Sequence, residues 1–127
     1  MRTEGNPPAW AVKLVERVCE DYGRSLPSLA WRRSSKHHGT SGHYGNRRIV
    51  ITAGSDPWDQ KHTLLHELAH HLKPGTNHST EFYKTAFDLY RRFDGNIARH
   101  KRREYAYHPR TAKSGYLKSR AALSGGR

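Results

Sequence analysis

A single cysteine, Cys19, among 127 residues leaves no partner for an internal disulfide and no thiolate pair for a zinc ribbon or finger. That scarcity fits a reducing compartment. Apolar residues are also sparse, at 34%, so part of the chain is expected to add little to a core. No apolar run approaches the roughly 20 residues that cross a bilayer. The opening Met1-Arg2-Thr3-Glu4-Gly5 lacks the apolar centre of a signal peptide, so a soluble protein of the cytoplasm is expected. Acidic side chains are the third shortage, 11 against 23 basic ones for a net charge of +12. Residues 1–98 carry 14 basic and 10 acidic groups, whereas residues 99–127 carry nine basic and one acidic. A segment of that kind attracts polyanions, nucleic acid first, and equally suits a solvated tail.

What is present fits one domain with one modest core. Asn6-Pro7-Pro8 offers a helix start, Ala11, Leu14, Val15, Val18 and Tyr22 follow at helical spacing, and Gly23 is the expected stop. Trp10 and Cys19 read as packing residues. Short extended pieces come next: 29–33, 42–44 and 48–52, with Gly45-Asn46 as the turn between the last two. The loop from Ser34 to Ser41, with His37 and His38, is expected to be exposed. Asp56-Pro57-Trp58-Asp59 announces a helix over 57–72, ended by Lys73-Pro74-Gly75. A third helix should start at Ser79 or Thr80, bury Phe82, Ala86, Leu89, Tyr90 and Phe93, and stop at Asp94-Gly95. The expected class is α+β, with a small three-stranded, mainly antiparallel sheet and a basic tail.

The chemistry gathers in His66-Glu67-Leu68-Ala69-His70. On a helix of about 3.6 residues per turn, His66 and His70 lie on one face, about 6 Å apart along the axis. Two imidazoles so placed can grip one zinc ion, and Glu67, about 100° round, can address a water on that metal. Outside Glu67 and the histidines, residues 63–72 are uncharged, as a helix buried beside a metal requires. His78 is the choice for third ligand, since it stands at the entrance to the next helix. Glu81 is its rival, although so early in a helix it can equally serve the N-terminus as a first-turn acid. His62, one turn before His66, is a weaker alternative. His71 reads as a group beside the ligands or an exposed one.

Together with His78-Ser79-Thr80-Glu81-Phe82, Gly42-His43-Tyr44 and Ile49-Val50-Ile51, this stretch resembles the SprT-like zinc metallopeptidases over about residues 8 to 93. The resemblance implies a minimal zincin-like core over residues 1–98, one zinc ion on His66, His70 and His78, and Glu67 as catalytic base. It also implies a peptide or protein substrate, with proteins bound to DNA as the implied class. The short connecting loop and the missing cysteine-rich ribbon depart from the family's pattern. For the oxyanion, Tyr44, His43, Tyr83, Tyr105 and Tyr107 are candidates that spacing does not separate. DNA is the second expected partner, through the tail's Arg99, Lys101, Arg102, Arg103, Arg110, Lys113, Lys118 and Arg120 with interleaved tyrosines. A monomer without a membrane partner is expected. Two other readings stand beside the peptidase: a nucleic-acid-binding module with structural zinc, and a zinc hydrolase of non-peptide bonds.

Overall fold

The computed structural model describes residues 1–34 and 39–125, so Lys36, His37 and His38 of the expected loop lie outside the described residues. The chain forms two compact units, Met1–Leu72 and Lys73–Arg127.

In the first unit, β1 (Thr3–Glu4), α1 (Ala9–Tyr22), β2 (Ser28–Arg33), β3 (Ser41–Gly45), β4 (Arg48–Ala53) and α2 (Pro57–Leu72) follow in order. Helix α1 starts from Pro8 rather than from Asn6, which sits in the left-handed region at φ 55°. It ends as expected. Gly23 at φ 64° lets its own N–H reach Glu20 O and that of Arg24 reach Cys19 O, a Schellman closure that satisfies the last carbonyls. Ala11, Val15, Val18 and Cys19 are its buried stripe.

The sheet has four strands in the order β1-β2-β4-β3. The expected mainly antiparallel, three-stranded sheet is therefore corrected to a mixed one. β1 with β2 and β2 with β4 are parallel, and only β3 with β4 is antiparallel. The chain leaves β2 and returns as β3 on the far side of β4, so β4 comes to lie beside β2 in the same direction. That puts the most apolar strands in the middle. Leu29, Ala30 and Trp31 are buried on β2, and Ile49, Ile51 and Ala53 alternate inward on β4. β1, two polar residues long, carries no strand signal of its own. The β3–β4 turn is Asn46-Arg47, one residue later than expected, with φ 49° and 58°. Positive φ at both central residues is the type I′ geometry that suits the twist of a hairpin.

The second unit comprises α3 (Thr80–Phe93), α4 (Ile97–Tyr105) and α5 (Pro109–Gly125). Ser79 caps α3 by accepting the Phe82 N–H, and Asp94-Gly95 closes it, the Gly95 N–H reaching Tyr90 O at 2.8 Å. Residues 99–125, expected as part of a tail, form most of α4 and all of α5, joined by a turn at 106–108, and the expected boundary at residue 98 falls inside α4. Large apolar residues do not mark α5; small ones do. Ala112 and Ser119 are fully buried. At Gly115 a β-carbon would run into Tyr83 Cβ and stand 2.8 Å from Thr80 O, so only glycine lets α5 approach α3 this closely.

Polar groups complete that packing. Ser119 donates to Asp88 Oδ1 and accepts from Arg91 Nη1, each at 2.5 Å. Tyr90 donates to Glu104, and His100 donates from Nε2 to Asp94 at 2.6 Å while stacking on Tyr90 at 4.1 Å. Each buried polar group named here has a partner, as burial demands. Among the described residues no helix is long and apolar enough to cross a membrane.

Candidate metal centre

The helix that carries the centre has the expected bounds, 57 to 72. Asp56 accepts the Trp58 N–H at 2.9 Å, Pro57 opens the first turn and Asp59 lies in it, so the local sequence dictates the entrance. Leu64, Leu65, Leu68 and Leu72 are buried and lock the helix's rotation. With that rotation fixed, His66 and His70 emerge half-buried on one face. Their ring centroids are 5.2 Å apart, and their ligating nitrogens lie within 4.8 Å of one another. A tetrahedral ion with bonds near 2.1 Å needs its nitrogens roughly 3.4 Å apart, so small side-chain adjustments suffice. The pair could hold a metal ion. His62 continues the ladder, 6.4 Å from the His66 ring, but is buried and stacked on Trp58 at 5.1 Å.

Glu67 is buried, only 6% exposed. Strand β3 lies against this part of α2. A residue and its antiparallel partner point to the same side of a sheet, so Gly42 and Tyr44 share the side of Ile51 and Ile49. Both therefore face α2. Gly42 stands at Glu67 and Thr63, where a β-carbon would come within 2.8 Å of either side chain. His43 alternates to the opposite side and is exposed.

Tyr44 reaches His71. Its hydroxyl lies 2.9 Å from Nδ1, and its ring stacks on His70 with centroids 6.5 Å apart. The Nε2 of His71 is 2.7 Å from Ser25 O, and Arg24 Nη2 donates to the carbonyl of His71 at 3.0 Å. His71, open in the sequence to being exposed, is fully buried. Burial pushes its pKa down, the Ser25 carbonyl pulls the other way, and the Arg24 and Arg47 charges add to the lowering. A carbonyl only accepts, so neutral His71 carries its hydrogen on Nε2 and Tyr44 donates to Nδ1. The single hydroxyl hydrogen of Tyr44, one of the oxyanion candidates, is thereby committed. Arg24 and Ser25 escaped the sequence reading because they meet His71 from a loop far off in the chain, with no periodicity to announce it.

His78 belongs to the second unit. It is half-buried, its ring packs edge-on to Phe82 at 5.2 Å, and the exposed His108 stacks on it at 4.6 Å. No spacing rule would have selected His108. Glu81, the rival ligand, is exposed and paired with Lys118 at 3.1 Å. That hydrogen bond, with the Lys118 charge, holds its carboxyl below the ordinary range. Tyr83 is fully buried, and burial, reinforced by Glu104, raises its pKa strongly.

Of the tail's expected DNA-binding residues, Arg102, Arg110, Lys113, Lys118 and Arg120 are exposed, while Arg99, Lys101 and Arg103 are half-buried. The interleaved tyrosines divide. Tyr116 packs on Phe87 at 5.3 Å and under Lys101 at 4.3 Å, Tyr105 is half-buried, and only Tyr107, 70% exposed, stands clear. Set against family models, curated proteins and solved structures, the chain finds no match.

Proposed function

We propose that the chain is a zinc-dependent peptidase of the SprT-like kind. The observation that carries the reading is the pairing of His66 and His70, half-exposed on one face of α2, with a buried carboxylate, Glu67, between them in sequence. A structural zinc site gains nothing from such a carboxylate; a hydrolytic one needs it. His78 is the proposed third ligand. It follows His70 after a short link, is a neutral-imidazole donor of the type zinc prefers, and its rival Glu81 is engaged with Lys118. When bound, zinc would polarise a scissile carbonyl and acidify a water.

The chain's own residues supply the rest. Glu67 takes the proton from the attacking water and returns it to the leaving amine. Strand β3 is a sheet edge and lies beside Glu67. An extended peptide added to that edge would be held by backbone hydrogen bonds, with loose side-chain preference. The test is metal analysis of the purified protein together with a casein cleavage assay: Glu67→Gln should keep zinc and lose cleavage. A Glu67→Gln protein that still cuts casein would end the reading.

The exposed cations of α4 and α5 support a companion role, holding a polyanion such as DNA while the peptidase acts on proteins bound to it. With Tyr105 and Tyr116 engaged inside the unit, that binding would rest on phosphate contacts, with Tyr107 the one interleaved tyrosine left to stack on a base.

A further inference from the structure

Gly42 has no conformational reason to be glycine. It is not among the positive-φ residues, it pairs in regular register with Ile51, and any residue could adopt its backbone. The reason is space. A β-carbon there would stand 2.8 Å from Glu67 Cγ, 2.9 Å from Glu67 Oε2 and 2.8 Å from Thr63 Cγ2, well inside the roughly 3.5 Å at which carbon atoms touch. Glu67 is nearly buried and rises from a helix whose neighbouring turns are packed by Leu64 and Leu68, so the backbone has little room to yield. The carboxylate would yield instead.

We infer that Gly42 is a positioning residue: the missing side chain on β3 is the seat of the Glu67 carboxylate, and it fixes that carboxylate against the edge strand. Its catalytic consequence rests on the peptidase reading, whereas the seating itself does not. The glycine also brings the carboxylate to an edge strand of the sheet, whose outer side a peptide can join. The β3 backbone thus sets the base and the substrate in a common register, as efficient proton transfer requires.

The test substitutes Gly42→Ala in the full chain. The side-chain carboxyl ¹³C resonance of Glu67 should shift, while zinc affinity, measured by competition with a chelator, stays that of the wild type. In the cleavage assay kcat should fall on the order of 100-fold, the scale set by a displacement of about 1 Å, with KM unchanged. The double variant Gly42→Ala with Thr63→Ser removes the Thr63 methyl group that the new β-carbon would meet, and it decides the matter alone if Gly42→Ala does not fold. A displaced Glu67 signal in the double variant supports the seat. Recovery of the wild-type signal would show that Gly42 merely makes room for Thr63 and would overturn the inference. An unshifted Glu67 signal in Gly42→Ala, or a loss of zinc affinity, overturns it as well. If the wild type cuts no peptide, the peptidase reading fails, and the Glu67 resonance still tells whether Gly42 seats it.

Discussion

Tyr44 of β3 donates its hydroxyl hydrogen to Nδ1 of His71 on α2 across 2.9 Å, and the opposite nitrogen of that imidazole faces Ser25 O at 2.7 Å. A strand, a helix and a loop of the first unit meet on one buried ring. Because His71 follows His70 directly, this meeting also fixes the end of the helix face on which His66 and His70 could hold a metal ion.

Tyr44→Phe keeps the ring and removes the donor, so it leaves the accepting Nδ1 of a fully buried histidine without the hydrogen bond that Tyr44 donates. Such a loss costs about 1–3 kcal/mol. The urea midpoint should fall accordingly, while zinc content is retained, since no ligand is touched. A midpoint equal to that of the wild type would mean that the hydroxyl is not spent on His71, and would return Tyr44 to the oxyanion candidates.

The choice between His78 and Glu81 is decided by metal affinity. His78→Ala should weaken zinc binding by more than the roughly 10- to 100-fold that loss of a supporting hydrogen bond costs. Glu81→Ala should leave it unchanged, because that carboxylate is exposed and paired with Lys118. The reverse ranking in a chelator competition would move the third ligand to Glu81.

The basic helices are best tested without shortening the chain. Deleting residues 99–127 would strip Phe87 and Tyr90 of α3 of partners such as Tyr116 and His100, and so would report on folding. Replacing the exposed Arg102, Arg110, Lys113 and Arg120 by glutamine leaves the packed face intact. If these side chains neutralise phosphates, DNA affinity should fall, and the salt dependence should flatten by about 0.9 in log–log slope for each phosphate no longer neutralised. An unchanged slope would show that none of the four meets the DNA backbone.

The helices of the first unit were legible because their signals are local. Asp56-Pro57 opens α2 and Gly23 closes α1 by chemistry that acts within a few residues. The sheet was legible in its pieces but not in its pairing. Nothing in 28–33 or 48–53 states that two strands separated by a third will run parallel, since that is decided by which apolar strands must be covered on both edges. Helix α5 was missed for another reason. Its buried face is Ala112, Gly115 and Ser119, small groups whose value lies in close approach, and a search for large apolar residues at helical spacing passes over them. At the centre, His66, Glu67 and His70 are a contiguous pattern and could be read directly, whereas Gly42 against Glu67 and Ser25 against His71 exist only once the chain is folded.

Cys19 provides the last prediction. It is 1% exposed on α1, and burial raises its thiol pKa, with Arg24 opposing in part. In the native protein it should react with a thiol-specific disulfide reagent far more slowly than in urea, for want of both access and thiolate. The same shift couples to stability. An unfolded chain releases the thiol proton from about pH 8.5 upward, while the folded one still holds it, so the contribution is full below that pH and is lost as pH rises. Between about pH 8 and pH 10 the urea midpoint of the wild type should therefore drop further than that of Cys19→Ala, which has no thiol to ionise. Parallel declines in the two proteins would show that Cys19 ionises in the native state as readily as in the unfolded one.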